Sequence, residues 1–185
     1  MNNQATKTNN DPRNIEAKIL LRLNLLPNKN EIKVLDAFSG EGILWNEVKK
    51  RTSQKISILS IDKNDYKKVN LKGDNLKFLK GLNLSKYDII DLDSWGSPSS
   101  QLQILANKNY KGVVHCTFIQ TMQGRISNNI LETYGYNKNM IKKCPTLFCK
   151  NALLKIMYFI YVKFGVTKIF LYQCNMKNYF SFQID

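Results

Sequence analysis

An apolar run carries the chain through Asp88-Ile89-Ile90-Asp91-Leu92-Asp93 and then breaks into Ser94-Trp95-Gly96-Ser97-Pro98. The pattern reads as the carboxyl end of a buried strand opening into a tight turn. Such a turn presents a carboxylate beside a flat apolar ring. That pair suits chemistry on the amino group of a nucleobase: the carboxylate accepts a hydrogen bond from the amine, and the ring stacks on the base.

A second group of residues offers a place for a nucleotide-like ligand. Val34-Leu35-Asp36-Ala37-Phe38-Ser39-Gly40-Glu41-Gly42 ends a strand in a G-x-G turn. Glycines there let the backbone turn sharply and come close to a ligand. The third glycine of the dinucleotide fingerprint is missing, so the turn alone does not specify that class. Asp62 closes the next apolar run and is placed to hold ribose hydroxyls. Asp74 follows Gly73 at the next strand end, where a carboxylate can meet an adenine amino group.

The elements that position these residues alternate. Strands are expected over 32–38, 56–62, 69–71, 87–93 and 113–119. Helices are expected after Gly42 to about Arg51, over 75–82 and over 98–106. The link after Asp62 is too short for a full crossover helix. Residues 123–134 read as helix or loop ending at Gly135, and 147–164 as one long helix closed by Gly165. Runs 169–174 and 179–184, joined by a short polar link, predict an antiparallel hairpin. Ahead of the core, Asp11 and Pro12 supply a helix start. Ile15, Ile19, Leu20, Leu23 and Leu26 form its apolar stripe, and Pro27-Asn28 stop it. Residues 1–10 are polar and expected to be disordered. Alternating strands and helices imply a largely parallel sheet, with ligands at the carboxyl ends of its strands.

Together these motifs resemble the class I methyltransferases, which bind S-adenosylmethionine. The resemblance rests on D-x-F-x-G-x-G at Asp36–Gly42, the strand-end acids and the terminal hairpin. It implies an α/β, Rossmann-like fold: a mostly parallel seven-stranded sheet with a terminal antiparallel hairpin and helices on both faces. It implies a single methyltransferase domain over 11–185, with an N-terminal helix over 11–28 and a core over 32–185. It assigns Asp36, Phe38, Ser39, Gly40, Gly42, Asp62, Asp74, Asn75 and Asp91 to the cofactor side. Asp93-Ser94-Trp95-Gly96-Ser97-Pro98 is similar to the D-P-F-G-S-P signature of the Trm1-type tRNA guanine-N2 methyltransferases. Asp91-Leu92-Asp93 matches the opening of its longer form. By that resemblance Asp93, Ser94, Trp95 and Gly96 form the catalytic turn. Asp93 takes one amine hydrogen, a turn carbonyl takes the other, and Trp95 holds the base. The chain departs from the pattern at Ser94, where the family has proline. It also departs at Trp95 and in the shortened link after Asp62, and no counterpart of the family's large RNA-binding domain is expected within these residues.

Composition agrees with a polyanionic partner. Among 185 residues, 28 basic and 14 acidic side chains give a formal charge of +14. RNA is the preferred partner and DNA an alternative, with a partner protein or self-association to supply recognition. Lys138, Lys142, Lys143 and Lys150 read as a basic rim. The four cysteines, Cys116, Cys144, Cys149 and Cys174, form no C-x-x-C pair. Neither a zinc site nor a disulfide framework is expected, and the thiols read as buried and reduced. His115, the lone histidine, reads as a core residue. Tyr158, Phe159, Tyr161 and Phe164 read as core too. No basic-then-apolar leader follows Met1, and the most apolar segment, 153–165, is too short to cross a membrane, so a cytoplasmic protein is expected. Cytosine C5 chemistry is disfavoured because the order at 144–145 is Cys-Pro, not Pro-Cys. A methyltransferase fold kept only for binding is the rival outside enzymes, and a small-molecule methyltransferase is disfavoured by the charge.

Overall fold

Seven strands pair into one sheet in the order β3-β2-β1-β4-β5-β7-β6. The strands are β1 (Glu31–Asp36), β2 (Lys55–Asp62), β3 (Leu71–Lys72), β4 (Ile89–Leu92), β5 (Gly112–Ile119), β6 (Ile169–Cys174) and β7 (Lys177–Ile184). β1 to β5 are parallel, and β7 runs antiparallel between β5 and β6. The computed structural model describes residues 12–66, 68–120, 124–166, 168–174 and 176–185. Residues 1–10, the helix cap at Asp11, and Gln123 lie outside the described residues.

The helices are α1 (Pro12–Leu23), α2 (Ile43–Lys50), α3 (Asn75–Gly81), α4 (Ser99–Asn107), α5 (Asn128–Thr133), α6 (Lys138–Lys143), α7 (Pro145–Cys149) and α8 (Ala152–Phe164). They cover both faces of the sheet. Successive strand residues alternate between two apolar clusters, as the period of two requires. Val34, Ile89 and Val113 pack with Ile19 of α1 and with Trp45 and Val48 of α2. Leu35, Ile90 and Val114 pack with Leu79 of α3, Leu102 of α4 and Phe159 of α8. β4 is buried along its whole length, which is why it reads as an unbroken apolar run.

Several expectations need correction. The first helix ends at Leu23 rather than 28; Leu25 and Leu26 follow in a tight turn, their N–H groups donating to Arg22 and Leu23 at 3.3 and 3.4 Å. Leu20 is exposed, while Leu21 and Arg22 are buried. The long helix expected over 147–164 is two helices. Lys150 is extended and Asn151 takes a left-handed conformation with φ 55°, which breaks the helical path. Tyr158 and Tyr161 stand on the outer face of α8, whereas Ile156, Phe159 and Ile160 face the sheet. Cys116 is buried, but Cys144 is exposed. β3 is two residues long and starts at Leu71. Among the described residues no helix is long and apolar enough to cross a membrane.

Candidate active site

The carboxyl ends of β1, β2 and β4 and the start of β7 open into one cavity of about 730 Å³. At its β1 end the chain turns through Ala37–Gly42. Ser39 N–H donates to the Ile61 carbonyl at 3.1 Å, and Gly42 N–H to the Ser39 carbonyl at 2.8 Å. Gly40 and Gly42 take left-handed backbone in this turn, with φ 49° and 72°. A side chain on Gly40 would project into open space rather than into protein. The glycine therefore keeps the backbone bare toward the cavity. The Ser39 hydroxyl is buried, lines the cavity and has no hydrogen-bond partner among the described residues.

Asp62 is held by the same loop. Its carboxylate accepts Gly40 N–H at 3.0 Å and Asn64 N–H at 2.9 Å. Both oxygens keep a free lone pair for a ligand hydroxyl. Asp74 caps α3, accepting Leu76 N–H at 2.9 Å. Asn75 bridges three elements: its amide donates to the Ala37 carbonyl at 3.1 Å and accepts from Gln101 of α4 at 3.0 Å. All of these line the cavity.

At the other end stands the turn after β4. Asp93 accepts from Lys18 Nζ at 2.6 Å and from Thr117 Oγ1 at 2.5 Å. Ser94 occupies the position of the expected proline and does what proline cannot. Its N–H donates to the Leu92 carbonyl at 2.7 Å. Its hydroxyl, in reach of two carbonyls, lies 3.0 Å from Gly96 O and 3.2 Å from Thr117 O. Hydrogen bonds thus replace ring stiffness in closing the turn. Trp95 is 55% exposed, with Lys177 Nζ 4.7 Å from its ring centroid.

Asp91, one pleat below, is 1% exposed. Arg22 grips it with two nitrogens at 2.8 and 2.9 Å, and Trp45 Nε1 donates to it at 2.7 Å. His115 is buried beside this group, its Nδ1 2.7 Å from Ser181 Oγ, and burial followed by the Arg22 charge pushes its pKa well down. Asp36 is likewise buried. Loss of water, then the neighbouring Asp91 charge, raise its carboxyl well above the usual range, so it favours the protonated form. Burial pushes Asp93 the same way, but the Lys18 and Arg22 charges and its two hydrogen bonds hold it below the usual carboxylate value.

The cavity therefore brings together Asp36, Phe38, Ser39, Gly40, Gly42, Asp62, Asp74 and Asn75 with Asp91, Asp93, Ser94, Trp95 and Gly96. Sequence reasoning missed Lys18 and Arg22 of α1, Thr117 of β5, and Lys177 of β7. The clue for the first two was their spacing of four, which puts two cations on one helix turn beside the apolar stripe. Lys138, Lys142, Lys143 and Lys150 are exposed on α6 and beyond α7.

A scan against protein-family models and a search of curated proteins both found no match. Solved structures do match. A precorrin-6y C5,15-methyltransferase from Geobacter metallireducens aligns over 98% of this chain and 93% of its own at a TM-score of 0.56, with 11% identity. The plantazolicin methyltransferase, solved with a desmethyl analogue and S-adenosylhomocysteine, aligns over 95% of this chain and 86% of its own at 0.55, with 12% identity. A phosphoethanolamine N-methyltransferase from Haemonchus contortus, solved with phosphomonomethylethanolamine and S-adenosylhomocysteine, aligns over 91% and 52% at 0.57, with 10% identity. The chain has the Rossmann-like fold of the class I S-adenosylmethionine-dependent methyltransferases, including the antiparallel seventh strand.

Proposed function

We propose that this chain is an S-adenosylmethionine-dependent methyltransferase acting on an exocyclic amino group of a nucleobase, with guanine N2 of tRNA as the preferred acceptor. One observation carries the reading. A bare glycine turn with Asp62 and an unpartnered Ser39 hydroxyl shares a single cavity with a carboxylate beside an exposed tryptophan.

The residues present fit the cofactor. Gly40 and Gly42 leave room against the backbone, Asp62 offers lone pairs to ribose hydroxyls, and Asp74 and Asn75 flank the adenine end. Asp36 and Ser39 offer polar atoms near the first turn of α2, whose N–H groups lack intrahelical acceptors. When bound, S-adenosylmethionine supplies an electrophilic methyl group on sulfonium.

Asp93 then acts on the acceptor. An exocyclic amine is a weak nucleophile because its lone pair is delocalised into the ring. A carboxylate accepting one N–H concentrates electron density on nitrogen. Each Asp93 oxygen makes one hydrogen bond in the free protein, which leaves lone pairs for the amine. The low pKa of Asp93 makes it a hydrogen-bond acceptor rather than a base, so the amine proton leaves to solvent after transfer. The Gly96 carbonyl is fixed by Ser94 for the second N–H. Trp95 stacks on the base and excludes water, which also serves to orient the amine. A base in a stem must first leave its stack.

The engagement of Asp93 by Lys18 favours a second reading, a methyltransferase fold that binds nucleic acid without transfer. DNA amino-methylation is the alternative within enzymes. Isothermal titration with S-adenosylmethionine, together with tritiated-methyl transfer to tRNA and DNA, separates them. Cofactor binding with label in tRNA is expected. Absence of cofactor binding would sink the proposal, and binding without transfer would favour the second reading.

A further inference from the structure

Two lysines reach the Trp95 end of the cavity, and they are in different electrical states. Lys18 is committed to Asp93 at 2.6 Å. Lys177 opens β7, has no carboxylate partner within ion-pair distance among the described residues, and lies over one face of Trp95 at 4.7 Å. Asp91 is matched by Arg22 deeper in the fold. Once these pairs are counted, the Lys177 ammonium is the charge left over at the catalytic turn. Burial, and then repulsion from Lys18, hold its pKa below the usual lysine value. A nearby anion would stabilise the charged ammonium against both. With Lys177 on one face of the indole and more than half of Trp95 exposed, a flat ring has a stacking surface beside a cation.

We propose that Lys177 and Trp95 form an anchoring pair for an acceptor that carries a phosphate next to its ring: the base stacks on Trp95, and the phosphate pairs with the Lys177 ammonium. The inference rests on the methyl-transfer reading above only for the reaction, not for the anchor. Lysine is a compact point charge that suits a phosphate without fixing its orientation, and the aromatic ring beside it fixes the base. The phosphate belongs either to a nucleic-acid backbone or to a free nucleotide.

The test is binding, read as quenching of tryptophan fluorescence in the full chain saturated with S-adenosylhomocysteine. The probes are guanosine, guanosine monophosphate and a guanine-containing single-stranded RNA dodecamer. Wild type is expected to bind the monophosphate about tenfold more tightly than guanosine, the scale of one charge-assisted contact. Lys177→Gln should erase that preference, and Lys177→Arg should retain it. For the dodecamer, Lys177→Gln should lower the slope of log affinity against log salt by about one. A dodecamer that binds more tightly than the monophosphate, with a steeper salt slope, assigns the phosphate to a backbone; equal affinities assign it to a free nucleotide. Equal binding of guanosine and its monophosphate, unchanged binding in Lys177→Gln, or no binding of either phosphate probe would overturn the anchor. Lys177-dependent binding without methyl transfer would contradict the proposed reaction and leave the anchor standing.

Discussion

Asp93 has both carboxylate oxygens engaged before any acceptor arrives, one by Lys18 and one by Thr117. That arrangement fixes the side chain and keeps it charged, which is what a hydrogen-bond acceptor for an amine requires. Asp93→Ala is expected to lower methyl transfer by at least about a hundredfold while leaving cofactor affinity unchanged, as seen by single-turnover label transfer and titration in parallel. Unchanged transfer would remove Asp93 from the chemistry. Asp36 makes the opposite prediction. Its folded pKa is raised above the unfolded value, so its contribution to stability is fully present below about pH 3.8 and is lost as pH rises through the folded pKa. At neutral pH the carboxyl therefore destabilises the free protein. Asp36→Asn should raise the thermal midpoint at pH 7–8, flatten its pH dependence and weaken cofactor binding. A lower midpoint at neutral pH would contradict this account of Asp36.

At the scale of elements, the turn after β4 and helix α1 together form one end of the candidate site. The turn was legible because an apolar run ending in Asp-Ser-Trp-Gly has few structural readings. Its closure was not legible: whether a serine replaces proline usefully depends on carbonyls at Gly96 and Thr117 that only the fold brings near. Ser94→Ala should cost about 1 kcal/mol of stability in denaturant unfolding and reduce transfer more than cofactor binding. An unaffected rate would show that the hydroxyl does not hold the turn. The sequence of α1 shows its apolar stripe, but not what its cations meet. Their partners lie 69 and 75 residues away in sequence, beyond any local pattern. Arg22→Met leaves Asp91 buried and unpaired, and should cost about 3–5 kcal/mol, measured by urea unfolding. The break before α8 was missed because Asn151 adopts left-handed backbone inside a sequence otherwise apolar enough to continue a helix. α6 was missed because it buries one apolar side chain, Ile141, and carries no stripe.

At the scale of the whole molecule, the make-up of the sheet was legible, a mostly parallel sheet closed by an antiparallel hairpin, but the order of its strands was not. Alternating runs and a final hairpin give the parallel and antiparallel parts, whereas the insertion of β7 between β5 and β6 depends on pairing that no local pattern carries. Which acceptor enters is a matter of charge and surface rather than of topology, since solved methyltransferases of this fold act on dissimilar compounds. The excess of +14 favours a polyanion. Transfer to RNA should therefore weaken by about an order of magnitude or more between about 50 and about 200 mM salt, whereas cofactor affinity should change little. The most direct test of the central claim is nucleoside chromatography after tritiated-methyl transfer from S-adenosylmethionine to tRNA. The account predicts label in N2-methylguanosine. Label in no nucleoside, from protein that binds the cofactor, would contradict it.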